Sequence, residues 1–222
     1  RRFFDACVSW QERRHAWSPR KEWIVTSSGV VPAFFNAVRS LTRAGDGVII
    51  QPPVYYPFKM AVEASGRTLV ENPLVLDGGR FVMDFDDLEN KAADPANTML
   101  ILCSPHNPVG RVWSAEELRR LVDICVVNDV LIVSDEIHDD LIMPGYEHTT
   151  IMQVMRPEEY DHVIVCTAPS KTFNLAGCQA SVIYVPDADV RARFSEGFRR
   201  LAQFSLNIFG YTATIAAYEE CA

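Results

Sequence analysis

Short unbroken apolar runs alternate with helical stripes along most of this chain. Residues 48–50, 98–103, 130–133 and 163–166 are such runs, rich in Val, Ile and Leu. Their length and continuity predict strands buried on both faces. Between them the apolar positions recur every three or four residues. Ala33, Phe34, Ala37, Val38 and Leu41 fall on one face of a helix, and so do Leu118, Leu121, Val122 and Cys125. Ser114, followed three residues later by Glu117, is a capping box that starts the second of these helices near Trp113. Weaker patterns predict a helix from Phe3 to about Ser18, strands over 23–26, 68–71 and 180–185, and helices over 58–64, 83–93 and 189–204. Asp77-Gly78-Gly79 reads as a turn. Strands alternating with amphipathic helices imply an α/β fold: a mostly parallel central sheet with helices on both faces.

Nearly every predicted strand runs out into a turn with an unusual polar group. Ser28-Gly29 follows the first, and a helix begins directly after it. That geometry presents free backbone N–H groups to an anion, although a serine there also serves as an ordinary cap. PPVYYPF holds Tyr55 and Tyr56 on a proline-stiffened loop, where either ring can stack on a flat ligand or simply pack. SPHNPVG carries Asn107, SDEIHDD carries Asp135, and TAPSKTF carries Lys171. The chain has three other lysines, Lys21, Lys59 and Lys91, all in surface-like surroundings.

A parallel sheet sets its C-terminal strand ends side by side. A helix start, an aromatic ring, an amide, a carboxylate and a lysine then converge. A flat phosphorylated pyridine aldehyde, pyridoxal 5'-phosphate, needs this set: a lysine for the Schiff base, a carboxylate for the ring nitrogen and a helix start for the phosphate. SDEIHDD has two competing readings, a metal site and an acidic surface loop. Alternate residues of an extended stretch point to opposite faces, and the spaced ligands of a hard-cation loop are missing, so no metal is expected.

Hydrophobic residues make up 48% of the chain and charged residues 23%, enough for a substantial core. The net charge of -8 argues against non-specific nucleic-acid binding. No apolar run approaches the roughly 18 residues needed to span a bilayer. Six scattered cysteines without a CxxC pair read as free thiols, and the expected setting is cytoplasmic. The first residue is Arg and the last residues lie inside a helical pattern, so an internal segment of a longer protein is expected.

SPHNPVGRVW, VSDEIHDDL and TAPSKTFNLAG, with GVVPAFFNAV and the PPVYYPF loop, resemble the fold type I pyridoxal phosphate enzymes of the class I/II aminotransferase superfamily. More narrowly they resemble the MalY/PatB group of cystathionine β-lyases, or cysteine-S-conjugate β-lyases. The resemblance runs through nearly the whole chain. It implies that Lys171 bonds the cofactor aldehyde and then acts as general base, its amine made available by partial burial and a nearby cation. It implies that Asp135 binds the pyridine nitrogen, that Asn107 and His138 contact the ring hydroxyl oxygen, and that Tyr55 stacks on the ring. The backbone N–H groups of Val30 and Val31 and the hydroxyls of Thr167 and Ser170 would hold the phosphate. Gln179 departs from the pattern, standing where many aminotransferases place a phosphate-binding arginine.

The activity so implied is β-elimination from L-cystathionine or a related cysteine S-conjugate, giving a thiol, pyruvate and ammonia. Amino-acid transamination and a non-catalytic regulatory role on the same fold are the alternatives. The resemblance further implies a homodimer acting on a small amino-acid substrate. Residues 1–222 would be its cofactor-binding large domain, without an N-terminal segment and a C-terminal small domain.

Overall fold

The structure is a computed structural model and describes residues 1–221. Its strands are β1 (Ile24–Ser27), β2 (Gly47–Ile50), β3 (Thr68–Glu71), β4 (Val75–Asp77), β5 (Arg80–Val82), β6 (Asn97–Cys103), β7 (Leu131–Asp135), β8 (Val163–Thr167) and β9 (Ser181–Tyr184). Its helices are α1 (Arg2–His15), α2 (Val30–Leu41), α3 (Pro57–Ala64), α4 (Phe85–Ala92), α5 (Ala115–Val127), α6 (Ile151–Val154), α7 (Pro169–Thr172), α8 (Ala188–Arg200) and α9 (Ile208–Glu220).

Seven strands form one sheet in the order β1-β9-β8-β7-β6-β2-β3. Only β9 runs against the rest, pairing antiparallel with both β1 and β8. The predicted mostly parallel sheet is therefore present. Residues alternate between its faces as the strand pleat requires. Met99, Ile101, Val133, Ile164 and Cys166 pack against α2, α3 and α8. Leu100, Leu102, Ile132, Val163 and Val165 pack on the other face, where α1, α4, α5 and α9 lie. Both layers are almost water-free, which is why the strands read as unbroken apolar runs.

Several boundaries move for local reasons. The first helix stops earlier than its stripe suggests, because Ala16 turns into the left-handed region at φ 48°. Asp77-Gly78-Gly79 is the tip of a two-stranded hairpin, β4–β5, whose turn needs positive φ at both glycines. The predicted capping box is present, with Ser114 and Glu117 each accepting from the other's backbone N–H. Trp113 precedes that helix and is buried, its indole N–H donating to Cys103 O at 2.9 Å.

The sheet has a switch point between β2 and β6. From β2 the chain crosses α3 to reach β3 on one side; from β6 it crosses α5, on the opposite face, to reach β7 on the other. Connections diverging this way leave a crevice at the carboxyl ends of the strands. The loops carrying Tyr55 and Asn107 border that crevice.

Candidate active site

A cavity of about 210 Å³ lies at these strand ends. Val30 and Val31, Tyr55, Asn107, Asp135, His138, Ser170 and Lys171 all line it. Five separate segments thus supply one site. The first turn of α2 enters it uncapped: Gly29 is the N-cap and no side chain satisfies the helix N–H groups. Ser27 Oγ donates to Gly29 O at 2.8 Å and so holds this turn in shape. A free helix N-terminus favours an anion.

Asp135 ends β7 on the α2 face of the sheet. Ile137 N–H donates to its Oδ1 at 3.2 Å. Burial pushes its carboxyl up to about 7, and neighbouring Glu136 adds to the effect, while the Ile137 N–H and Lys171 oppose it. A buried carboxylate with one donor is under-compensated; a cation placed in the cavity would restore its charge. His138 is half-buried, and burial followed by the Lys171 charge lowers its pKa. Tyr55 is half-buried against Phe58, ring centroids 6.1 Å apart. Tyr56 is 70% exposed and does not line the cavity.

Lys171 lies on α7, the short helix that leaves β8, and not on an open turn. Its side chain is exposed at the cavity mouth instead of partly buried.

Thr167 does not join the set. The strand runs one residue beyond its apolar stretch, so Thr167 stays in the ladder and faces away from Cys166. Its hydroxyl is buried and donates to Val182 O at 3.1 Å. The serine hydroxyls at the cavity belong to Ser170, Ser28 and Ser181. Gln179 lines the cavity too, with a left-handed backbone at φ 48°. Ser181 gave no signal in the sequence; the antiparallel insertion of β9 is what delivers it.

Two supporting contacts were also silent. His106 is buried, and its Nε2–H donates to Pro53 O at 3.1 Å, joining the Asn107 loop to the Tyr55 loop. Burial pushes its pKa down to about 4, so the ring is neutral. Cys103 Sγ accepts from Asn107 N at 3.3 Å.

Behind the cavity, SDEIHDD is not an acidic surface loop, because Asp135, Glu136 and Asp139 are all buried. Glu136 accepts from Ser134 Oγ at 2.9 Å and Ile151 N at 3.0 Å, and pairs with His148 at 3.1 Å. Burial opposes its charge, yet His148 and the Ile151 N–H hold its carboxyl below the usual range. His15 Nε2 lies 3.3 Å from Asp139 and 3.2 Å from Asp140, and Arg14 Nε lies 3.5 Å from Asp140. Ligand-type atoms of His15, Asp139 and Asp140 approach within 4.8 Å of one another, but Arg14 and Thr172 already occupy Asp140.

The donor set suits a flat cationic ring bearing an anion. The uncapped α2 terminus and Ser170 take the anion, Tyr55 offers a face, Asn107 and His138 offer polar atoms at the edge, and Asp135 waits for positive charge.

The family described as "Aminotransferase class I and II" matches residues 5–218. The chain is 46% identical, over 97% of its length, to cystathionine beta-lyase PatB of Bacillus subtilis. Cystalysin of Treponema denticola, whose crystal structure contains pyridoxal 5'-phosphate, superposes with a TM-score of 0.97 at 44% identity over 100% of this chain. The pyridoxal-phosphate-bound C-S lyase of Staphylococcus hominis superposes with a TM-score of 0.91 at 33% identity over 99% of it. The chain spans 56% of the length of each of these three proteins. Among the described residues no helix is long and apolar enough to cross a membrane.

Proposed function

Because this chain belongs to the class I and II aminotransferase family, whose members use pyridoxal phosphate, we propose that it is the cofactor-binding large domain of a carbon–sulfur β-lyase. The substrate in this reading is L-cystathionine or a related cysteine S-conjugate, and the products are a thiol, pyruvate and ammonia. One observation carries it: the 46% identity to a cystathionine β-lyase extends over 97% of the chain. The cavity contributes a lysine, a carboxylate and a helix N-terminus within reach of one small ligand.

Bound pyridoxal phosphate supplies the electron sink for the pair of electrons left on the substrate Cα. The protein side chains do the rest. The N–H groups of Val30 and Val31 and the Ser170 hydroxyl hold the phosphate. Tyr55 covers one face of the ring. Asn107 and His138 hold the ring hydroxyl edge, His138 as a neutral imidazole. Asp135 keeps the ring nitrogen protonated, and that positive charge offsets the cost of burying the carboxylate. Lys171 would hold the cofactor through its aldehyde, and once the substrate amine displaced it, its amine would take the Cα proton at Nζ. The exposed position of Lys171 leaves the amine room to swing between these two tasks. With the proton gone, the Cβ–S bond would break, the sulfur would leave with the bonding pair and take up a proton to become the thiol, and water would hydrolyse the released aminoacrylate to pyruvate and ammonia.

Transamination is the second reading, and the family's name favours it. The same residues serve, but the proton is returned elsewhere and the amino group passes to a keto acid. A cytoplasmic homodimer completes the proposal. Buried free thiols (Cys7, Cys103, Cys125, Cys166) support a reducing compartment. The exposed side chains of Phe204, Ile208 and Phe209 support a protein partner.

The test is an absorbance spectrum of the full-length protein with pyridoxal phosphate, then a pyruvate assay with cystathionine, beside Lys171→Ala. A band near the visible edge that Lys171→Ala lacks, with pyruvate and free thiol from the parent, supports the lyase. The band with amino transfer and no pyruvate favours the transaminase. No band overturns the cofactor assignment.

A further inference from the structure

A second cavity, of about 590 Å³, opens beside the first and shares Asn107 and His138 with it. The turn that follows Cys103 forms one wall. The segment after Asp140 forms another, and Arg80 on β5 stands at the side. Leu141, Met143 and Tyr146 on that segment are 53, 75 and 65% exposed. Three large apolar side chains within six residues, turned toward a cavity, form a contiguous surface of the kind that marks a binding site. Two arginines border the cavity, and they differ. Arg111 is already paired: one terminal nitrogen lies 2.7 and 2.8 Å from the two Glu117 carboxylate oxygens, and the other donates to Phe81 O. Arg80 is exposed and makes no salt bridge among the described residues.

From this arrangement we infer that the second cavity receives the sulfur substituent of the substrate and favours a thiol with an apolar body ending in a carboxylate. The inference rests on the lyase reading above. Asn107 and His138 form the border between the cavities, so a substituent leaving the first passes between them into the second. There its sides meet Leu141, Ile142, Met143 and Tyr146, and contact removes their apolar area from water. A carboxylate at the far end meets Arg80, whose guanidinium has no competing carboxylate. Arg111 cannot serve, since Glu117 already neutralises it. The second cavity is larger than the first, so a methyl substituent leaves it mostly unfilled.

The test uses the full-length protein loaded with pyridoxal phosphate and three substrates: S-methyl-, S-benzyl- and S-(4-carboxybenzyl)-L-cysteine. The kcat/KM values rise in that order, the carboxylate adding about fivefold, as an exposed ion pair does. Arg80→Gln abolishes the carboxylate step, and Met143→Asp lowers the benzyl step by about tenfold, both mainly through KM. Equal kcat/KM for the three substrates, or variants that lower all three alike, overturns the inference. So does a flat series caused by another segment of the full-length chain, or a second copy, filling the cavity. β-Chloroalanine carries no sulfur substituent and reports the elimination alone: if it yields no pyruvate, the lyase reading fails and not the cavity. Calorimetry with the free thiol 4-(sulfanylmethyl)benzoate then reads the cavity by itself. About fivefold weaker binding by Arg80→Gln supports it, and no binding by the parent overturns it.

Discussion

Thr172 donates its hydroxyl to Asp140 Oδ2 across 2.9 Å, and this bond ties the helix that carries Lys171 to the loop that carries His138 and follows Asp135 at the end of β7. Asp140 is the hub. Burial works against its charge, but His15 and Thr172 hold its carboxyl below the usual range. Through His15 the same carboxylate also fastens the end of α1. The lysine and the carboxylate of the site are thus positioned relative to each other by a buried polar contact lying outside the cavity.

Thr172→Val keeps the shape and deletes the donor, leaving an Asp140 side chain that is 3% exposed short of one bond. A loss of about 1–3 kcal/mol in stability is expected, as for other buried groups left unsatisfied. A fall in kcat of about tenfold should accompany it, as a misplaced base loses alignment. Urea midpoints and steady-state kinetics read both, and Thr172→Ser should restore both. A Val variant with parental kcat would show that the contact does not position Lys171.

Asp135 gives a pH dependence with a definite sign. Its folded carboxyl titrates at about 7, above the roughly 3.9 of an unfolded chain. A group that holds its proton more tightly when folded costs stability as pH rises between those two values. Without cofactor, Asp135→Asn should therefore stabilise the protein, by about 2.5 kcal/mol more at pH 8 than at pH 5. With pyridoxal phosphate the order reverses, and the variant should bind the cofactor at least about tenfold more weakly. Thermal melts at both pH values, with and without cofactor, decide it. An Asn variant that binds as tightly as the parent would remove Asp135 from the proposed role.

His106 should matter without touching the ligand. Its bond to Pro53 O is the direct link between the Tyr55 and Asn107 loops. His106→Ala should weaken cofactor binding by about tenfold while the far-ultraviolet circular dichroism stays parental. His106→Gln, which can still donate, should recover part of the loss. The parent should also lose stability as pH falls from about 6.5 to 4, since a buried neutral imidazole must take a proton to unfold, and the Ala variant should lack that slope. Parental affinity in the Ala variant would mean the loops hold their places unaided.

The sheet and most of the cavity were legible because the central strands β2, β6, β7 and β8 are covered on both faces, so each apolar run ends where the crevice begins. Asn107, Asp135 and Lys171 stand just past those ends. Thr167 shows where this reading is weakest. One further residue of β8 reverses the direction of a side chain, and no local pattern marks that step. Tyr55 and Tyr56 are adjacent and chemically alike, so only packing against Phe58 separates them. The cluster of His15, Asp139, Asp140 and Thr172 was out of reach for another reason. Its members come from α1, the β7 loop and α7, and nothing in any one segment announces the others.

The single antiparallel strand, β9, has a consequence in time. It sits between β1 and β8, pairing Ser27 with Ser181 and Thr167 with Val182. A chain emerging from the ribosome makes β1 before β2 to β8, yet its partner in the sheet, β9, follows all of them. Closing that long interval costs entropy that local contacts cannot offset beforehand. The turn at Ser28-Gly29 is therefore synthesised early and seated late. A nascent chain can align its lysine, carboxylate and amide along β6, β7 and β8 while the anion end of the cavity still hangs free. The cavity is then completed only when β9 pairs with β1 and β8, as one closing event.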